Sequence, residues 1–180
     1  MYPQLRIDLS KIRKNLDTVV SIAKQGGCSL MIVTKGMCAD PEMAKMIAAD
    51  PKVDYMADSR VKNIASYVDI AHEGGKKTVL LRIPMHDELP EVVKYVDVCF
   101  ISEISSIRLL DEEAGKVGKV QDIVLMIDLG DLREGIFFQN QELIDEAVDV
   151  IMGLVHVNLY GIAVNLTCYG AIIPKYDNLS

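Results

Sequence analysis

Five short stretches of the chain carry side chains that could do chemistry. In MIVTKGMCAD (31–40) a single lysine, Lys35, ends an apolar run. Such an amine either lies over the rim of a sheet on its aliphatic stem or is held in a site as a base or as a nucleophile toward a carbonyl. In DLGDLREG (128–135) glycines punctuate a segment holding Arg133. Its planar guanidinium can grip a carboxylate or phenolate oxygen, or it can pair with a neighbouring aspartate in a solvated turn. In VNLTCYG (164–170) Asn165 and Thr167 alternate with apolar neighbours, so both could point into one interior, toward a ligand or toward buried backbone. In ADSR (57–60) and SEISSIR (102–108), Asp58, Ser59 and Ser102 read first as helix caps, and Arg60 and Arg82 as arginines able to contact an anion.

These residues share a position along the chain, because each follows an apolar run. The runs are 29–35, 53–58, 77–84, 96–103, 121–130 and 157–167, short and nearly continuous as in strands buried on both faces. Helical patterns lie between them. Ser10 is the expected N-cap of 10–25, which Gly26 and Gly27 close, and Asp40-Pro41 opens a helix to about Ala49. Further helices are expected over 60–72, 88–95, 104–118 and 141–153. Strand and helix repeated six times predict a parallel sheet covered by helices. No GxGxxG or GxxxxGK[ST] is present, and the polar residues sit at the C-terminal ends of several strands. That favours a TIM (β/α)8 barrel over a doubly wound nucleotide fold. Six strands do not close such a barrel, so the 180 residues are expected to be the N-terminal part of a longer protein.

Composition removes several function classes. The formal net charge is −7 and no basic block stands out, so no nucleic-acid partner is expected. No uninterrupted apolar stretch approaches the roughly eighteen residues of a membrane span, and the N-terminus lacks a signal core. Cys28, Cys38, Cys99 and Cys168 form no CxxC, and His72, His86 and His156 have no ligand spacing. They read as reduced thiols of a cytoplasmic protein and as non-ligating histidines, with no metal.

The ordered set LRIDLSKIRKNL, VTKGMCAD, ADSRVKNI, LLRIP, SEISSIRLLDEEA, IDLGDLREG and GIAVNLTCYG resembles the alanine-racemase-like (fold type III) enzymes that use pyridoxal 5′-phosphate (PLP). It is most similar to their ornithine racemase branch. The resemblance implies a PLP-binding barrel domain over 1–180, with about six βα units present. It also implies a racemase that interconverts L- and D-amino acids, ornithine favoured, by removing the Cα proton. Lys35 would carry PLP covalently and act as one of two bases. Arg133 would lie near the cofactor ring hydroxyl and the substrate carboxylate, Asn165 would pack against the cofactor, and Thr167 and Arg60 would bind it too. A homodimer acting on a small amino acid is implied. The alternatives are a non-catalytic PLP-binding homeostasis protein and a non-enzymatic interaction domain.

Two positions depart from the alanine racemase pattern. Met126 stands where a modified lysine often supports the arginine, and Ala39 stands where a tyrosine binds the cofactor phosphate. The family's phosphate loop, pyridine-nitrogen contact and opposite-face base belong to later segments, so this chain alone is not expected to racemise efficiently. Asp128, Asp131 and Glu134 are all open as partners for a second substrate amine.

Overall fold

Short apolar runs alternating with amphipathic helices give a regular βα succession. The computed structural model describes residues 3–4, 6–166 and 176. Its elements are α1 (Leu9–Gln25), β1 (Met31–Val33), α2 (Pro41–Ala48), β2 (Tyr55–Asp58), α3 (Val61–Glu73), β3 (Lys77–Leu80) and α4 (Leu89–Tyr95). They continue as β4 (Val98–Ile101), α5 (Ile104–Lys116), β5 (Gln121–Asp128), β6 (Ile136–Phe137), α6 (Gln141–Gly153) and β7 (Val157–Val164). Short 3-10 turns, Lys35–Met37 and His86–Glu88, precede α2 and α4. The two-residue β6 adds to the six expected strands and is too short to show a period.

Every strand pairing among the described residues is parallel. Strands β1 to β5 stand side by side in chain order, and β7 lies against β5. A doubly wound sheet reverses its order at a switch point. A sheet that grows in one direction, with right-handed crossovers, places its helices on one face and curls. The chain is therefore an arc of a (β/α) barrel wall.

Both faces of that wall are apolar, which accounts for the unbroken apolar runs. Alternate residues face the helices: Met56, Leu80, Cys99, Ile101, Ile123 and Leu125 pack with Ile64, Leu89, Leu110 and Ile151. Their neighbours Ala57, Val79, Val98 and Val124, with Leu81 and Phe100, form the inner layer. At the N-terminal ends of the strands the inner face turns polar. Lys77 Nζ pairs with Asp122 at 2.9 Å, Asn158 donates to Asp122 at 2.8 Å, and the Tyr55 and Tyr160 hydroxyls meet at 2.8 Å.

The caps differ from expectation in informative ways. Asp8, not Ser10, caps α1, because its Oδ1 reaches the N–H groups of both Ser10 and Lys11. Asp40 caps α2 through Glu42 and Met43, with Pro41 in the first turn, as expected. Asp58 is fully buried, and neither it nor Ser59 caps α3, whose N-cap position Arg60 holds without a side-chain bond. Asp58 accepts from Thr34 Oγ1 at 2.7 Å, Arg60 N at 2.9 Å and Asn63 Nδ2 at 3.1 Å, tying the end of β1 to the start of α3. Arg82, read as an anion contact, is occupied instead: its fork grips Glu88 and its Nε donates to Ser59 O at 2.6 Å.

Lower on the wall, Asp97 joins three elements. It accepts from Thr78 N at 2.7 Å and pairs with His72 Nε2 at 2.8 Å. Burial alone would raise its carboxyl, but the Thr78 N–H and the His72 imidazole outweigh that and hold it below the ordinary 3.8. A pKa lowered by folding gives stability that is complete above the unfolded value and lost as pH falls through the folded one. Asp97→Asn is accordingly expected to lower the urea midpoint at pH 7 and to flatten its acid dependence below about pH 5; chemical denaturation across that range checks this. Asp58→Ala, which strands the buried Thr34 hydroxyl and removes two part-buried bonds, is expected to cost about 2 kcal/mol by the same measurement.

Candidate active site

Lys35 was expected at a strand end and lies just beyond one. Thr34 completes the ladder, its N–H donating to Ala57 O at 2.8 Å, and its hydroxyl is fixed on Asp58. The chain then tightens into the 3-10 turn that starts at Lys35. Thr34 is buried while Lys35 is exposed at the rim, so a rigid base carries the amine's backbone. Among the described residues no hydrogen bond or ion pair engages the Lys35 amine.

The loop after β5 is built with comparable constraint. Asp128 Oδ1 accepts from Gly130 N at 2.8 Å and Leu132 N at 3.2 Å, an Asx-type turn that draws the loop back over the strand end. Gly135 has φ +120°, and a Cβ there would fall 2.6 Å from Asp128 N, so glycine is required. Strand β6 then lies parallel to the end of β5, Ile127 opposite Ile136. Among the described residues three non-glycine residues have left-handed φ: Cys38 (48°), Ala39 (55°) and Leu132 (55°). All three lie in the two loops that carry Lys35 and Arg133, a pattern of stored strain typical of functional sites.

These loops and the end of β7 enclose a cavity of about 250 Å³ lined by Lys35, Arg133, Glu134 and Asn165 over an apolar bed of Leu81, Phe100, Met126 and Val164. Within it Arg133 Nε meets Glu134 Oε2 at 2.9 Å, and Asn165 Nδ2 donates to Glu134 Oε1 at 3.1 Å. A second cavity of about 670 Å³ shares Arg133 and Glu134 and is also lined by Ile83, Ser102, Glu103, Phe137 and Asn140. Charge and hydrogen-bonding capacity at the wall, one amine, and a flat aromatic on the bed fit a planar anionic cofactor bearing an aldehyde.

Of the residues singled out in the sequence, Lys35, Arg133 and Asn165 converge. Arg60 does not join them: it stands exposed at the N-cap of α3 and gives its backbone N–H to Asp58. Thr167 lies outside the described residues. Ser102 lines the second cavity rather than capping α5, where Glu103 holds the N-cap position. Met126 is part of the bed, and Ala39 is buried in the helix-side core away from the lining. Asp128 is committed to its turn, so of the three carboxylates considered Glu134 is the one in the cavity. The bed residues Leu81 and Phe100 went unread; each lies two residues after an inner-layer valine, Val79 or Val98, and that parity was the available signal.

A family model described as alanine racemase, N-terminal domain, matches residues 7–177. The chain is 42% identical to an ornithine racemase of Acetoanaerobium sticklandii over 180 residues, which is 100% of this chain and 49% of that protein. It is 34% identical to a lysine racemase of Thermotoga maritima over 177 residues, 98% of this chain and 48% of that protein. It thus spans about half the length of the curated relatives it matches. Among solved structures, an alanine racemase of Clostridium difficile 630 superposes with a TM-score of 0.74 at 21% identity, over 88% of this chain and 41% of that one. A likeness at that identity speaks for the fold, whereas the family match runs through the loops bearing Lys35, Arg133 and Asn165. The chain belongs to the alanine racemase N-terminal domain family.

Proposed function

We propose that this chain is the PLP-binding barrel of an amino-acid racemase acting on a diamino acid of the ornithine or lysine kind. The observation that carries the reading is the convergence of Lys35, Arg133 and Asn165 on one cavity, in a chain similar along its whole length to about half of an ornithine racemase. PLP, once bound, supplies the electron sink that makes an amino-acid Cα–H removable. The Lys35 amine would hold the cofactor and would serve, on its own face of the substrate, as the base that removes the Cα proton in one direction and the acid that delivers one in the other. The Arg133 guanidinium holds an anionic oxygen of substrate or cofactor. Asn165 contacts the cofactor edge, and the bed of Leu81, Phe100, Met126 and Val164 keeps water from beneath the reacting carbon.

Inversion also needs a proton donor on the opposite face. Lys35 is the lining amine among the described residues, and the second donor is assigned to the partner subunit of a homodimer. A cytoplasmic setting accords with the free thiols Cys28, Cys38 and Cys99. No helix among the described residues is long and apolar enough to cross a membrane.

The 180-residue chain mixed with PLP is expected to show the absorption band of lysine-bound cofactor, and borohydride should fix the added mass on Lys35; Lys35→Ala should lose both. Chiral chromatography of ornithine, lysine and alanine is expected to show racemisation by the full-length protein and not by the 180-residue chain alone. A band without racemisation by the full-length protein would favour a non-catalytic PLP carrier. A folded chain with neither band nor activity would favour an interaction domain and overturn the proposal.

A further inference from the structure

We infer that Glu134 is a positioning residue that fixes the Arg133 guanidinium for its work in the cavity, an inference that rests on the PLP reading above. Arg133 sits in a loop after β5, with its side chain 43% exposed. Glu134 follows it directly and turns its carboxylate back onto Arg133 Nε at 2.9 Å. Its other oxygen accepts from Asn165 Nδ2 at 3.1 Å, thirty-one residues away at the end of β7. One carboxylate therefore joins two strand ends and two cavity residues, and its side chain is itself only 23% exposed.

Met126, on the bed beneath, offers only a thioether to a guanidinium. Glu134 is the one carboxylate among the described residues lining the smaller cavity. The ion pair with Arg133 and the amide donated by Asn165 hold one carboxylate between the two cavity residues, and opposite charge keeps the guanidinium beside it. The loop geometry favours this use: Leu132 at φ 55° and Gly135 at φ 120° bracket the Arg-Glu pair, so both side chains leave a backbone bent back over β5.

The test separates positioning from direct contact by measuring PLP affinity of the full-length protein through the absorption band. Glu134→Gln is expected to weaken binding about fivefold, the upper range for one part-exposed ion pair, with an unchanged thermal midpoint. In an Arg133→Ala background the same substitution should change affinity by less than about twofold, because the residue it acts through is gone. Arg133→Lys serves as the second background, since a lysine cannot present the same fork. Full affinity in Glu134→Gln, or an equal loss in both backgrounds, would overturn the inference. So would a loss confined to racemisation of diamino acids by the full-length protein, which would assign Glu134 to a second substrate amine instead. Wild-type full-length protein with no band would overturn the PLP reading itself, and this inference with it.

Discussion

The structure depends on one constraint: β1 to β5 join the sheet parallel and in chain order, and β7 joins parallel beside β5. Right-handed crossovers then place every helix on the outer face, and the C-terminal ends of the strands all reach one rim. Residues distant in sequence become neighbours without any long-range pairing of their own. Lys35 follows β1, Arg133 and Glu134 follow β5, and Asn165 follows β7, yet all line one cavity. An open sheet with reversed order would have divided its strand ends about a crevice and placed its helices on both faces.

On that rim the backbone is held more firmly than the side chains it presents. A buried threonine and a buried aspartate fix the chain just before Lys35, and an Asx turn with an obligatory glycine fixes it around Arg133. The left-handed residues Cys38, Ala39 and Leu132 occur in these same two loops. Backbone of that kind costs energy that only a well-packed surrounding can hold, and here the two-faced apolar wall provides it. Rigid backbone under exposed cationic groups is a sensible basis for a site in which a proton must be moved on a chosen face.

Much of this was legible in the residues. Alternating apolar runs and amphipathic helices specify βα units because burial on both faces leaves no polar positions in a strand. The absence of a glycine-rich phosphate turn argued for the barrel before strand order was known. The lysine, arginine and asparagine of the cavity were visible as strand-end residues within family-like motifs. Less legible was which of many polar strand-end residues would be taken up elsewhere. Arg82 carries the same charge as Arg133 and follows an equally apolar run, but Glu88 lies within reach and closes on it. Arg60 follows β2 as Arg133 follows β5, yet it stays in solvent because the buried carboxylate of Asp58 claims its backbone.

The sequence by itself determined the winding, the apolar wall and the identity of the amine at the rim, since these follow from local periodicity, local cap chemistry and an ordered set of short motifs. Only the tertiary structure decided how the acidic groups are shared. Asp58 reads as a cap and proves to be a buried cross-strand tie, Asp128 reads as a candidate ligand and proves to be a turn staple, and Glu134 reads as one of three equivalent carboxylates and proves to bridge Arg133 and Asn165. The physical reason is that a carboxylate takes whichever donors lie within about 3 Å. In a parallel wall those donors come from neighbouring strands, whose approach no local pattern records.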